Sequence, residues 1–142
     1  MTTTVLVPMD GSPLAERALA YAFDHHPDAD VRVLHVVDPV EAVYVAEASG
    51  SHAAEEWVAA AREVGERICD RARERAADRG VEIETATEFG NPARVIRRVL
   101  EEESIDHVVM GSHGRSALGR LLLGSVSEAV LRRSPVPVTI MR

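Results

Sequence analysis

The sequence of residues 106–127, DHVVMGSHGRSALGRLLLGSVS, decides the fold class of this chain. It begins with an apolar run typical of a buried β-strand, and residues 125–133, which follow from its end, have the pattern of a helix. Gly111, Gly114 and Gly124 stand between the two. Backbone N–H groups are unpaired where a helix begins, and glycine lets an anion approach them because it has no Cβ. The stretch therefore predicts a strand, a phosphate-binding loop and a helix.

The same alternation of strand and helix extends over the rest of the chain. Ser12-Pro13 and Asn91-Pro92 each combine a helix N-cap with a proline at the first helical position, and Gly80 follows a long helical pattern. Residues 38–51 lack a clear period and are predicted as a loop with partly mobile or helical character. The predicted strands are 3–8, 30–37, 81–89, 106–110 and 137–141, and the predicted helices are 13–25, 52–79, 92–100 and 125–133.

This order of elements predicts an α/β fold with one open, mostly parallel five-stranded sheet and helices on both faces. The strand 81–89 carries charges on one face and is expected at an edge, whereas 106–110 is apolar on both faces and is expected in the centre. Ligands of such sheets bind at the carboxyl ends of the strands, where the strand order reverses. Asp10 and Gly111 both follow strand ends, and they face one crevice if the first and fourth strands are neighbours.

Composition limits the classes of partner. The net charge of −7 opposes broad binding to nucleic acid or anionic membranes, and no apolar run approaches the ~20 residues of a membrane span. The N-terminus lacks the pattern of a signal peptide, so we expect a soluble cytoplasmic protein. All 16 cationic residues are Arg, which fits either a salt-loving organism or codon bias alone. The single Cys69 excludes an internal disulfide.

Several segments together resemble the universal stress protein family. The glycine pattern resembles its nucleotide motif, and segments at the first strand, the second strand and the C-terminus match in the same order. These segments are Gly111-x2-Gly114-x9-Gly124-Ser125, Val7-Pro8-Met9-Asp10-Gly11-Ser12, His35-Val36-Val37 and Ser134-Pro135-Val136-Pro137-Val138. The resemblance implies one domain over residues 1–142, a Rossmann-like sheet of order 3-2-1-4-5, ATP binding and a homodimer.

The resemblance also implies roles for individual residues. Pro8 and the backbone of Val36 would bound the adenine, and Asp10 would contact the ribose side. Backbone amides would hold the phosphates. By their own chemistry, Ser127 could add a hydroxyl, and Arg115 and Arg120 could pair with the outer phosphates. The amides belong to two stretches that include Met110, Gly111, Gly114, Gly124, Ser125 and Val126.

Local chemistry offers a different interpretation for several of these residues. Asp10 is also suited to a turn with Ser12, and Val36 to the core of a strand. Ser125-x-x-Glu128 is a capping-box pattern that needs no ligand. The two arginines of the loop, Arg115 and Arg120, are equally suited to solvent, and His113 is expected to face water.

Three functions remain open from the sequence. The first is a nucleotide-binding stress-response module without fast turnover; the second is a slow ATPase or phosphotransferase. The chain has no Lys and so no Walker motif, which argues against the second. The third is a nucleotide-free dimeric scaffold. A dimer is expected through the edge strand Pro137–Met141, and any metal is expected to be Mg²⁺ or Mn²⁺ held by phosphates.

Overall fold

The computed structural model describes residues 2–112 and 123–142. Strands and helices alternate along these residues, except that two helices follow one another after the second strand. The elements are β1 (Thr4–Pro8), α1 (Pro13–His25), β2 (Asp30–Val37), α2 (Val40–Ser49), α3 (Ser51–Asp78), β3 (Glu84–Phe89), α4 (Pro92–Glu102), β4 (His107–Gly111), α5 (Ser125–Arg133) and β5 (Val138–Met141).

In the described part of the chain the strands form one parallel sheet of order β3-β2-β1-β4-β5. This confirms the predicted order, with β3 at one edge and β4 between β1 and β5. The chain runs outward from β1 to β3 and then crosses back to β4. The strand order therefore reverses at β1 and β4, and the carboxyl ends of both strands meet at the same edge of the sheet.

The predicted helix starts and stops are confirmed at three places. The Ser12 hydroxyl accepts a hydrogen bond from the Ala15 amide at 3.2 Å and caps α1. Asn91 caps α4 in the same way, because its side-chain oxygen accepts from the Arg94 amide at 3.1 Å. Helix α3 ends before Gly80, whose φ of +69° lies in the left-handed region that glycine occupies without strain.

Residues 38–51, predicted as a partly helical loop, contain the helix α2. No residue of α2 is buried, and Val40, Val43 and Tyr44 are exposed. The half-buried residues of α2 are Ala42, Val45 and Ala46, so apolar side chains lie on its exposed side as well. This distribution hides the 3.6-residue apolar period from which helices are predicted. The Asp38 carboxylate marks the start of α2, since it accepts a hydrogen bond from the Val40 amide at 3.0 Å.

The core consists of two layers on opposite faces of the sheet. Successive residues of β1 alternate between them: Val5 and Val7 pack with α1 and α3, whereas Leu6 packs with α4 and α5. All three β1 side chains are at most 2% exposed. Burial on both faces explains why the central strands are continuous apolar runs in the sequence.

Helix α3 meets the sheet through small residues, of which the sequence pattern identified Ala72 and Ala76 but not Gly65. Val64 was predicted on the buried stripe but is 43% exposed, whereas the neighbouring Gly65 is buried. A Cβ on Gly65 would lie 2.9 Å from Thr87 Cγ2 and 3.0 Å from a ring carbon of His35. The helix therefore approaches β2 and β3 too closely for a larger residue, and Val64 turns outward.

Two histidines lie together near the amino ends of the strands. The rings of His26 and His107 are 5.0 Å apart between centroids, and His107 Nε2 is 2.7 Å from the Thr139 hydroxyl. Partial burial lowers the pKa of His107 below its ordinary value of 6.5, and the neighbouring His26 lowers it further. The folded chain therefore takes up this proton less readily than the unfolded chain does.

This difference predicts a loss of stability in acid. As pH falls below the unfolded-state pKa of about 6.5, the unfolded chain binds a proton at His107 that the folded chain does not, so the free energy of unfolding decreases. His107→Gln keeps a polar partner for Thr139 but does not titrate. Urea unfolding between about pH 7 and pH 5 should show a shallower decline for H107Q than for the parent. Parallel curves for the two chains would contradict the assignment.

Candidate functional site

A cavity of about 110 Å³ opens at the carboxyl edge of the sheet, where the strand order reverses. The ends of β1, β2 and β4 form its floor, and the first turns of α1, α4 and α5 form its walls. The residues that line it are Pro8, Met9, Asp10, Ser12, Ala15, Leu34, Val36, Pro92, Ile96, Met110, Gly111, Val126 and Ser127.

Most of the site residues expected from the sequence come together in this cavity. Pro8, Asp10, Val36, Met110, Gly111, Val126 and Ser127 line it. Gly124 and Ser125 begin α5 beside the cavity but are not among its lining residues. Gly114 and Arg115, as well as His113 and Arg120, lie outside the described residues.

The main chain of Val36 extends past the end of β1. Met9 donates its amide hydrogen to the Leu34 carbonyl, and Gly90 donates to the Val37 carbonyl, each at 2.9 Å. Backbone groups of successive residues point to opposite sides of a strand, so those of Val36 point toward β1, as those of Leu34 do. The register of β1 with β2 ends opposite Leu34. The N–H and C=O of Val36 therefore face the cavity rather than a neighbouring strand.

Asp10 shapes the turn between β1 and α1. One carboxylate oxygen accepts a hydrogen bond from the Ser12 amide at 2.9 Å, which confirms the predicted turn. The carboxylate is exposed at the rim of the cavity and keeps a second oxygen for other partners. Its contact with ribose stays a prediction.

The buried His35 supports this turn from below. Its Nδ1 lies 2.8 Å from the Met9 carbonyl oxygen, and the side chain is only 8% exposed. The ring thus holds the residue that precedes Asp10. The sequence singled out His35 only as part of the segment His35-Val36-Val37, so this role of the ring was missed.

Gly111 has a structural reason to be glycine. A Cβ at this position would lie 2.9 Å from Leu14 Cβ and 3.1 Å from the Leu14 carbonyl carbon. The first turn of α1 thus rests directly on the end of β4. Close packing here would exclude a side chain with or without a ligand in the cavity.

Helix α5 begins one residue earlier than the capping-box interpretation requires. Gly124 is the N-cap and Ser125 the first helical residue, and no side chain of residues 2–112 or 123–142 caps the helix. That interpretation is therefore wrong for Ser125, whose side chain is exposed. Glu128 instead forms an ion pair with Arg132 at 2.9 Å, one turn further along. The first amides of α5 are left without a side-chain acceptor.

Ser112 and Ser127 join the start of α5 to the sheet. The buried Ser127 hydroxyl lies 3.1 Å from the Ser112 carbonyl oxygen and 3.0 Å from that of Gly124. Gly124 donates its own amide hydrogen to Ser112, and Ser112 donates to the Met141 carbonyl at 2.7 Å. The Gly124 amide, which the sequence assigned to a phosphate, is thus already used in this arrangement.

Metal-ligating side chains do not gather in the described part of the chain. Across residues 2–112 and 123–142 there is no group of three or more His, Cys, Asp or Glu side chains placed to hold a metal ion. The helices in the same ranges are each too short or too polar to cross a lipid bilayer.

The sequence model of the universal stress protein family matches residues 1–142. This chain belongs to the universal stress protein family. It is 34% identical to the universal stress protein YxiE of Bacillus subtilis over 152 residues, with all of both chains covered. The family proposed from the sequence motifs is thereby confirmed.

Solved structures of this family have the same fold. Hypothetical protein MJ0577 of Methanocaldococcus jannaschii is 30% identical, with a TM-score of 0.83 over 99% of this chain and 96% of that chain. A universal stress protein in complex with cAMP is 26% identical, with a TM-score of 0.67 over 99% of this chain and 96% of that one.

Other lining residues of this universal stress protein were missed by the sequence reasoning. Ser12 and Leu34 lie near the carboxyl ends of predicted strands, and all carboxyl ends of a parallel sheet share one edge. Their positions in the sequence could therefore have identified them as lining residues. Pro92 and Ile96 had none, since they belong to a helix far along the chain that only the three-dimensional fold brings to the cavity.

The two serines of α5 are expected to differ in their effect on stability. Ser127→Ala removes a buried hydroxyl that links α5 to Ser112 and should lower the free energy of unfolding by about 1 kcal/mol. Ser125→Ala removes an exposed hydroxyl that is not a cap and should change it by less than about 0.5 kcal/mol. Urea denaturation of both variants measures the difference. An equal loss for both would restore Ser125 as a cap.

Proposed function

We propose that residues 1–142 form one universal stress protein domain that binds an adenine nucleotide, ATP, and acts as a stress-response or signalling module rather than a fast enzyme. The observation that carries the proposal is the cavity at the reversal of strand order, lined by seven of the residues expected to contact nucleotide. Those seven come from β1, the turn after it, β2, β4 and α5, which are distant in sequence.

The apolar part of the cavity suits a base. Pro8, Met110 and Ile96 supply flat or aliphatic surface, and the Val36 main chain offers one donor and one acceptor side by side. Adenine presents an amino donor next to a ring-nitrogen acceptor, so the two edges are complementary. Binding sites of this kind are mostly apolar, and a few polar groups fix the orientation of the ligand.

The polar part suits ribose and phosphate. The free oxygen of Asp10 would accept from a ribose hydroxyl, and the uncapped amides of Ser125, Val126 and Ser127 would meet phosphate at the positive end of α5. The ion pair with Arg132 reduces the repulsion that Glu128 would exert on a phosphate. Mg²⁺ or Mn²⁺ would be held by the phosphates themselves.

The size of the cavity indicates that these residues hold only part of the ligand. Sites for drug-sized molecules occupy at least about 300 Å³, whereas the described residues enclose about 110 Å³. The base would fill this space, and the phosphates would extend beyond it toward α5. Gly114 and Arg115 remain proposed phosphate contacts on the ground of the family motif.

The solved relatives support an adenine nucleotide as the ligand. The residues that line the cavity support slow turnover of that nucleotide. The solved relative with cAMP shows that a member of the family accommodates an adenine nucleotide. Among the described residues that line the cavity, Asp10 is the one ionisable side chain, and one of its oxygens already accepts from Ser12. Such a site has little to activate a water molecule.

The first test identifies what the purified protein retains. The protein is denatured and the released small molecules are identified by chromatography and mass spectrometry, with ATP expected. Calorimetric titration of nucleotide-free protein with ATP and Mg²⁺ then measures affinity, and ADP release over hours measures turnover. No released nucleotide together with no heat of binding would overturn the proposal, and rapid ADP release would favour an ATPase.

Asp10→Asn separates the ribose contact from the turn. Asparagine keeps an oxygen for the Ser12 amide but loses the negative charge, so ATP affinity should fall about tenfold. Asp38→Asn is a matched control, because Asp38 makes the same kind of contact with the Val40 amide and does not line the cavity. Equal affinities for D10N and D38N would remove Asp10 from the site.

We also propose that the protein is a homodimer joined through the Pro137–Met141 edge. The half-exposed β5 is the last strand of the described sheet and has β4 on one side only. Because Val108 donates to the Pro137 carbonyl and Ser112 to that of Met141, the backbone groups of Val138 and Ile140 point to the open side. An open edge of this kind can pair with a second copy.

Sedimentation velocity tests the dimer. The parent should sediment at twice the chain mass, and Val138→Pro should sediment as a monomer, because proline removes an outward N–H while sparing the bonds to β4. Circular dichroism checks that the variant is folded. A parent that stays monomeric at high micromolar concentration would refute the dimer, as would a folded V138P variant that still dimerises.

A further inference from the structure

A second and larger cavity lies beside the proposed nucleotide site, and Ile96 lines both. It is a groove of about 420 Å³ between α4 and α5, on the outer face of the layer that these helices form. The floor of the groove is apolar and consists of Ala93, Ile96, Leu100, Ala129 and Val130. Of the proposed nucleotide contacts, Ile96 and Ser125 also line the groove, and the rest of its lining, apart from Ser134, belongs to neither the family motifs nor the nucleotide site.

Arginines form both rims of this groove. Arg94 and Arg97 project from α4, and Arg132 and Arg133 from α5. Arg97 pairs with Glu101 at 3.0 Å, and Arg132 with Glu128 at 2.9 Å. The groove is therefore cationic on both sides of an apolar floor.

Two of these four side chains are unpaired. Across residues 2–112 and 123–142, no hydrogen bond, ion pair or ring contact engages the guanidinium of Arg94 or Arg133. Arg94 and Arg133 are both exposed, one on each rim. They leave two guanidinium groups ready to bind carboxylates in bidentate geometry.

The charge of the groove contrasts with that of the whole chain. The chain carries a net charge of −7, whereas the groove is lined by four arginines and one glutamate. A partner that fits must offer apolar side chains to the floor and acidic side chains to both rims. At 11 and 9 residues, α4 and α5 are about 16 and 14 Å long, which matches two to three helical turns of a partner.

We propose that the groove between α4 and α5 binds an acidic, amphipathic peptide segment of a partner protein. Apolar residues of the segment pack on the half-buried Ala93 and Ala129, which lie over the buried Leu100 and Val130, and its carboxylates pair with Arg94 and Arg133. The chemistry is that of a helix or short strand docked in a groove, with specificity from the charged rims.

This binding does not require nucleotide. In the first turn of α5, Ser125 and Glu128 line the groove, whereas Val126 and Ser127 line the nucleotide cavity. The arginines that select the peptide are not among the residues lining that cavity. The peptide experiment is therefore done without nucleotide, and its failure is distinct from a failure of nucleotide binding.

The probes are fluorescein-labelled 12-residue peptides of Leu, Phe, Glu and Asp, with apolar residues at helical spacing in one set and alternating in another. Fluorescence anisotropy with the full chain should show saturable binding that weakens as salt is added. The same peptides with Lys in place of Glu and Asp should bind at least about tenfold more weakly.

Single substitutions locate the binding surface. Arg94→Gln and Arg133→Gln should each weaken binding about fivefold. Arg67→Gln, an exposed site on α3 that does not line the groove, is the control of equal charge and should leave affinity unchanged. Ala129→Trp should abolish binding without a change of charge, because the indole fills the groove. Thermal unfolding checks that each variant is folded.

Several results would overturn the proposal. It fails if no acidic peptide of either set binds at a protein concentration of about 1 mM, or if R67Q weakens binding as much as R94Q. It fails if A129W binds normally. It also fails if vesicles of phosphatidylglycerol bind at the groove more tightly than the peptides, or if R94Q and R133Q disrupt self-association, since the occupant would then be a membrane or a second copy.

Discussion

The reversal of strand order at β1 and β4 is the constraint on which the carboxyl edge of this structure depends. The chain leaves β1 toward β2 and β3 and later returns to β4 on the other side of β1. Helices α1 and α3 then cover one face of the sheet, and α4 and α5 cover the other. The first turns of α1, α4 and α5 diverge around the strand ends, and the cavity is the space that they leave.

The walls of this space are held by contacts that involve the main chain. His35 holds the Met9 carbonyl, the end of β4 rests on the first turn of α1, and the Ser112 carbonyl accepts from both Gly124 and Ser127. These contacts tie three elements from distant parts of the sequence to the sheet. The shape of the cavity is therefore set by the whole fold rather than by one loop. A site held in this way suits the binding of a ligand more than its chemical conversion.

The fold was predictable wherever burial or helix capping determines which residue types occur in the sequence. Central strands are apolar runs because both faces are covered, and Ser12 and Asn91 mark helix starts because their side chains accept from the backbone. Helix α2 was not identified as such because its apolar residues lie on its exposed side as well as on its half-buried side. Val64 was placed on the wrong side because the helical period cannot reveal that a glycine, Gly65, makes the closest contact.

The candidate site was predictable to the extent that its residues lie at strand ends or in the family motif. Pro8, Val36 and Met110 satisfy this condition, whereas Ile96 reaches the cavity only through the packing of α4. The bounds of α5 were predicted correctly as 125–133, whereas the capping-box interpretation of Ser125 was wrong. Gly124 and Ser125 are both acceptable caps by composition, and only the backbone geometry selects between them.

The contact between Gly111 and Leu14 limits what the glycine motif can diagnose. A relative that had lost all affinity for ligand would still need a glycine here, because α1 occupies the volume of a Cβ. The first glycine of the motif therefore reports on helix docking as much as on function. Surveys that sort such chains into binders and non-binders gain more from the later glycines than from this one.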